Sequence, residues 1–301
     1  MSVALPPEVR RALAALRPLG RLRTDVAEPE GLPPHRIVSL PGAGPVRIRD
    51  SGGPGPAVVL LHAWALTGDV NFHYLMGPLS RRFRVIALDH RGHGRRGGRF
   101  GFGECADDVA ALLDVLGVER AVLCGYSLGG PVALEFGLRY PGRTAGIALQ
   151  ATALAYDRLG DRLLTLALWA GRPLAALGLG RSAAARYFAR TAVGNERVAA
   201  LFPWLRRELA QADPGELLRA GIVDLTGDYR GRAGDLRKLP ISVLVTTGDR
   251  EVPPRDQRRM AELLAADVTE VQGDHDVFLA DPGAYVPAAL EQLSSLIASR
   301  P

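Results

Sequence analysis

The chain reads as an α/β protein: a mostly parallel central sheet flanked by helices, with a helical insertion in its second half. Three observations predict this. Short apolar runs suited to strands covered on both faces recur along the sequence and alternate with stretches whose apolar residues fall at helical spacing. That rhythm stops between Ala151 and about Asp235, where helical patterning takes over, and resumes at Ile241. At 301 residues and 47% hydrophobic content, the chain can bury one large core and still carry such an insertion.

Taken in order, residues 1–35 form an extension with a short arginine-bearing helix around 8–16, followed by Pro29, Pro33 and Pro34. Its Arg10, Arg11, Arg17, Arg21 and Arg23 would permit transient contact with an anionic lipid surface, although packing against the protein is favoured. Core strands are predicted at 57–61 (AVVLL), 84–89 (RVIALD), 121–124 (AVLC), 144–150 and 241–247 (ISVLVTT), with a late alternating strand at 268–272. The expected organisation is an extension (1–35), a first core part (36–151), a helical cap (152–235) and a second core part (236–301). Leu163, Leu164, Leu166, Leu168, Trp169, Leu174, Leu177, Phe188, Phe202 and Trp204 would give the cap its apolar surface. Residues 162–180 are nearly apolar enough for a membrane span, but Arg172 and Pro173 near the centre predict two short helices instead.

Function is legible at Ala121–Gly130, AVLCGYSLGG, which sets Ser127 inside Gly-x-Ser-x-Gly where a buried strand gives way to a helix over 131–140. A serine on such a turn is lifted out of the sheet, and residues as small as Gly125 and Gly129 let strand and helix come that close. A serine hydroxyl is a weak nucleophile at neutral pH, so it needs an imidazole base and a carboxylate to orient that imidazole. In strand-serine-helix architectures the acid and then the histidine follow the serine. His35, His62, His73, His90 and His93 all precede Ser127, which leaves His275. The acid is Asp249, just behind strand 241–247 at Gly248, with Asp157 as the weaker candidate; Asp274 and Asp276 flank the histidine and are read as solvating its loop. Two backbone N–H groups should face the developing oxyanion: that of Leu128, next to the nucleophile, and that of Trp64, in the loop after strand 57–61.

These motifs together resemble the α/β-hydrolase superfamily, in particular its capped serine esterases and lipases. The elbow Gly125-Tyr126-Ser127-Leu128-Gly129-Gly130, His62 at a strand end, Asp89-His90-Arg91-Gly92-His93-Gly94, Gly248-Asp249 with Val252-Pro253, and Gly273 with His275 fall in that family's order, across 36–151 and 236–301. The resemblance implies the α/β-hydrolase fold, a Ser127–His275–Asp249 triad and an oxyanion hole from Trp64 and Leu128. One residue departs from the pattern: similar enzymes have glycine where Ala63 stands, and a positive φ there would strain alanine and displace the Trp64 donor.

Other motifs carry blander readings. His62, His73, His90 and His93 are read as bracing turns, and no metal site is expected because no two histidines stand three or four apart on a predicted helix with a carboxylate; His90 and His93 have that separation, but Gly92 and Gly94 make a turn there. The glycines from Gly92 to Gly103 lack a phosphate-loop or dinucleotide signature and suggest a flexible loop beside the site; no cofactor is expected. Cys105 and Cys124 are read as packed thiols and not a disulfide, which with the lack of an export leader makes the cytoplasm the default compartment. The net charge of +5 and pI near 9.6 come from dispersed arginines, Lys238 being the only lysine, so no nucleic-acid partner is inferred.

The expected function is hydrolysis of a small-molecule carboxylic ester with a small to medium apolar acyl group, through an acyl-enzyme. Thioesterase, cofactor-free perhydrolase and carbon–carbon bond hydrolase chemistry use the same triad and remain alternatives, as does a non-catalytic binding protein for a small ligand.

Overall fold

The computed structural model describes residues 22, 25–176 and 183–298. Its core is one eight-stranded sheet with spatial order β1-β2-β4-β3-β5-β6-β7-β8. The strands are β1 (His35–Leu40), β2 (Gly44–Asp50), β3 (Ala57–Leu61), β4 (Arg84–Leu88), β5 (Ala121–Tyr126), β6 (Thr144–Gln150), β7 (Ile241–Thr246) and β8 (Asp267–Val271). β2 pairs antiparallel with β1 and β4, and every other pairing is parallel. This is the α/β-hydrolase fold, with its mostly parallel sheet flanked by helices.

The central strands are buried end to end because both of their faces are covered. Val59, Leu61, Ile86 and Leu123 enter one apolar layer, while Val58, Leu60, Val85, Val122 and Cys124 enter the other. Successive side chains on a strand point to opposite faces, so a two-sided core requires the unbroken apolar runs seen in the sequence. The edge strand β1 differs: Val38 and Leu40 are buried, while Ile37 faces solvent.

Winding order places the site. From β3 the chain passes to β4 on one side, then returns across β3 to β5 on the other. Loops leaving the carboxyl ends of β3 and β5 therefore diverge and open a crevice between them. Ser127 follows β5 and Trp64 follows β3 at that crevice.

Between β6 and β7 the chain builds helices Leu159–Ala176, Ala183–Ala192, Glu196–Leu209 and Pro214–Thr226. The first packs along the last, where Gly221 admits the Trp64 ring; a Cβ there would lie 2.6 Å from it. One expectation is corrected: the described part of residues 162–180 does not split at Arg172-Pro173, because helix Leu159–Ala176 runs through both. Pro173 lies in the last turn on an exposed stretch, where water can satisfy the Trp169 carbonyl that loses its donor. Among the described residues no helix is long and apolar enough to cross a membrane.

The arginine-bearing helix around 8–16, the five arginines of the extension and Leu177 lie outside the described residues. Of the extension's described part, Glu28 and the Pro33 carbonyl accept hydrogen bonds from Arg49 on β2.

Candidate active site

The turn that carries Ser127 is built by close approach. A Cβ on Gly125 would lie 2.3 Å from the Gly129 carbonyl oxygen, and one on Gly129 would lie 2.0 Å from that of Leu61. Neither position tolerates a side chain, so helix Gly129–Arg139 starts hard against β3 and β5. Ser127 between them has φ 50°, a left-handed conformation costly for a non-glycine residue. It is held there by two backbone bonds: Ser127 N–H donates to Gln150 O at 2.9 Å, and Gly130 N–H donates to Ser127 O at 2.7 Å.

Three side chains from distant segments meet at this point. Ser127 Oγ lies 3.1 Å from His275 Nε2, and His275 Nδ1 lies 2.9 Å from Asp249 Oδ2. With Nδ1–H donating to the carboxylate, the neutral ring turns a lone pair on Nε2 toward the serine hydroxyl. Tyr126 O–H donates to the His275 carbonyl at 2.8 Å, and Asp274 accepts from the His275 N–H, which fixes the histidine loop from both sides.

Asp249 is fully enclosed and richly bonded. Oδ1 accepts from the N–H groups of Glu251 and Val252, and Oδ2 accepts from Thr246 Oγ1 and Gln257 Nε2 besides the imidazole. Burial pulls the His275 pKa down, but the hydrogen bond and charge of Asp249, helped by Glu251 and Asp274, lift it to about 9.

The other candidates are placed elsewhere. Asp157 is exposed and paired with Arg230. Asp274 binds Arg250, and Asp276 accepts from Thr191 Oγ1 at 2.5 Å. His62 Nδ1 donates to Ala63 O and Nε2 accepts the His90 N–H, so this ring braces the loop after β3. Burial and the neighbouring rings of His90 and His93 push the His62 pKa well down, which suits that neutral tautomer. Among the described residues no group of His, Cys, Asp or Glu is arranged to hold a metal. Cys105 and Cys124 are buried thiols, each pushed up to about 12 by burial.

The loop after β3 resolves the question raised by Ala63. The positive φ falls two residues later, at Ala65 with φ 59°, and Ala63 instead donates its N–H to Asn71 Oδ1 at 2.8 Å. Alanine at 63 therefore carries no left-handed strain. The Trp64 indole N–H donates to Leu217 O at 2.7 Å, so the same residue ties this loop to helix Pro214–Thr226. The glycine-bearing loop beside it is also anchored there: Glu216 accepts the Phe100 N–H, and Arg219 Nε donates to the Phe100 carbonyl.

Above Ser127 and His275 lies a cavity of about 960 Å³. Leu164, Leu168, Leu174 and Phe188 of the inserted helices line it. Other residues read as cap surface go elsewhere: Leu163, Leu166 and Trp169 face solvent, and Trp204 is buried in a core layer. Several polar wall residues escaped the sequence reading, among them Tyr156, Asp224 and Glu251. Glu251 Oε2 comes within 3.7 Å of His275 Nε2, and Tyr187 O–H donates to the same carboxylate. Only Asp224 left a trace in the sequence, as an acid inside the apolar run Gly221-Ile222-Val223-Asp224-Leu225.

Comparison with known proteins agrees with the fold. A sequence model of the alpha/beta hydrolase family matches residues 58–288, so the chain belongs to that family. A pimeloyl-[acyl-carrier protein] methyl ester esterase from Nitrosospira multiformis is 30% identical over 219 residues, covering 67% of this chain and 80% of that protein. Among solved structures, the enol-lactonase of Burkholderia xenovorans LB400 superposes with a TM-score of 0.73 at 24% identity, covering 86% of this chain and 100% of that one. An esterase from Rhodococcus sp. ECU1013 gives 0.68 at 25% identity, covering 88% and 98% respectively.

Proposed function

We propose that this chain is a serine hydrolase that cleaves carboxylic esters with small to medium apolar acyl groups. The reading rests on one observation, the continuous line Ser127 Oγ–His275 Nε2, Nδ1–Asp249 Oδ2 at 3.1 and 2.9 Å, set at the floor of an apolar cavity. In the first half-reaction His275 Nε2 takes the Ser127 proton as Oγ attacks the ester carbonyl. The oxyanion is met by the N–H groups of Leu128 and Trp64. Collapse of this intermediate breaks the bond to the alcohol oxygen, which leaves with the proton held on His275. Water, deprotonated by the same imidazole, then attacks the acyl-enzyme and releases the acid, returning the proton to Ser127. Asp249 keeps the ring in the required tautomer and stabilises the imidazolium.

The inserted helices act as a cap: they close the cavity over the nucleophile, and their leucines give an acyl chain an apolar berth while limiting water. The volume suits a medium chain. The ester-cleaving names of the Nitrosospira and Rhodococcus relatives support ester chemistry over thioester, perhydrolase or carbon–carbon bond cleavage. The two buried, unpaired cysteines suit a reducing compartment such as the cytoplasm. Replacing Ser127 with Ala should abolish both nitrophenyl-ester turnover and labelling by a fluorophosphonate probe. Full turnover by that variant would refute the assignment and leave a binding protein of the same fold as the better reading.

A further inference from the structure

The cavity wall combines apolar side chains with several charged ones, and among the latter it holds a carboxyl that the protein leaves unsatisfied. Asp224, on helix Pro214–Thr226, is 8% exposed, and its Oδ1 has no hydrogen-bond partner. The Tyr156 hydroxyl, on the segment after β6, is likewise buried without a hydrogen bond of good geometry, with Thr152 and Ala153 as polar neighbours. Both residues line the cavity with Ser127 and His275, and each lies within electrostatic reach of the other. Buried polar groups are nearly always paired, so two open ones facing a cavity beside a nucleophile mark a place that a ligand completes.

Their chemistry narrows the ligand. Burial lifts the Asp224 carboxyl to about 7, against a weaker opposing pull from His275. Near neutral pH much of it is therefore a neutral acid, able to donate one hydrogen bond and accept another, as the phenol also can. The wall's other charged groups, such as Arg158, Arg250 and Glu251, are already bonded to Asp161, Asp274 and Tyr187. An ammonium group would therefore have to shed its water to meet a largely neutral acid, and a carboxylate would face a second acid. A neutral hydroxyl, itself donor and acceptor, matches the pair.

We propose that Asp224 and Tyr156 form a polar subsite that recognises a hydroxyl group on the acyl chain, making esters of hydroxylated, otherwise apolar acids the substrates of this site. This rests on Ser127 being the nucleophile, and the test separates the two. Methyl hexanoate, methyl 3-hydroxyhexanoate and methyl 6-hydroxyhexanoate are compared by kcat/KM in a pH-stat, with methyl 6-aminohexanoate as the charged control. Wild-type protein should prefer at least one hydroxylated ester to hexanoate by about tenfold or more, since a site with hydrogen-bonding groups discriminates against analogues that leave them unpaired. Asp224→Leu and Tyr156→Phe should each collapse that ratio toward one, and Asp224→Asn, which keeps a donor and an acceptor, should restore part of it. A wild-type ratio at or below one for both hydroxylated esters, a ratio unmoved by the two substitutions, or a preference for the amino ester would each overturn the subsite. Should Asp224→Leu fail to fold, Tyr156→Phe, which removes one oxygen, decides alone. Failure of wild-type Ser127 to take a fluorophosphonate label would sink the hydrolase reading instead.

Discussion

The α/β core and the helices inserted into it each bury an aspartate that acts electrostatically on His275, and they treat it in opposite ways. Asp249, behind β7, collects five hydrogen bonds and touches the imidazole directly. Asp224, on the inserted helix, leaves Oδ1 bare and is pushed toward its neutral form. The first has its acceptor positions filled by donors of the protein itself; the second, on our proposal, is left open for a ligand. A fold can afford the second only because the first part of the molecule is so well satisfied: stability is a small remainder between large terms, and an unpaired buried group draws on it.

The contrast is most strongly tested by asparagine at both positions. Asp249→Asn should lower kcat by about 10⁴, because an amide that donates toward Nδ1 selects the wrong imidazole tautomer. Asp224→Asn should cost far less with methyl hexanoate, and equal losses at the two positions would erase the distinction drawn here.

Next in size is the scaffold that holds the two sides together. Gly129→Ala should yield little folded protein, measured as soluble yield and thermal unfolding, because its Cβ would sit 2.0 Å from the Leu61 oxygen within the sheet. A well-folded, active Gly129→Ala protein would mean that the elbow is looser than its geometry states.

The pH dependence follows from the Asp249 partnership. With the folded His275 pKa raised from 6.5 to about 9, the ring must lose its proton to act as a base, so kcat/KM should rise with pH and its acid limb should lie above 6.5. Stability moves the other way. The folded state binds this proton more tightly than the unfolded chain, so the charged pair's contribution is full below 6.5 and lost as pH climbs through about 9. Asp249→Asn should shift the acid limb downward, since burial then acts without its counterweight. An acid limb at or below 6.5 in the wild-type protein would contradict the raised value.

The smallest effect is on stability. Asp224→Leu should stabilise the protein by about 1–3 kcal/mol, read from denaturant unfolding, because an unpaired buried carboxyl is replaced by an apolar group of similar size. Raised from 3.8 to about 7, Asp224 binds its proton more tightly in the folded state, so its penalty grows as pH rises through that window. The gain from the substitution should therefore be larger at pH 8 than at pH 4. Destabilisation instead would show that the carboxyl has a structural partner.

Much of this was legible in the residues themselves. Apolar runs such as 57–61 and 121–124 reveal central strands because both faces of a parallel sheet must be apolar. Gly-x-Ser-x-Gly at a strand-to-helix transition reveals the elbow because few other local geometries need two such glycines. Strand β1 is poorly legible in the sequence: it is half exposed, and its hydrophobic pattern is correspondingly thin. Helix Leu159–Ala176 continued through Pro173 because a proline near a solvent-exposed helix end removes a bond that water can replace.

What the sequence determined by itself is local: which segments are strands, where the chain must turn tightly, and which serine, aspartate and histidine stand behind strand ends in the right order. What only the tertiary structure decided is which faces of the inserted helices look inward. An acid among apolar residues such as Asp224 reads the same whether it faces water or a cavity, and the choice depends on how helix Pro214–Thr226 rolls against Trp64 and helix Leu159–Ala176. That roll is set by packing between residues far apart in the chain, and no spacing along the sequence encodes it.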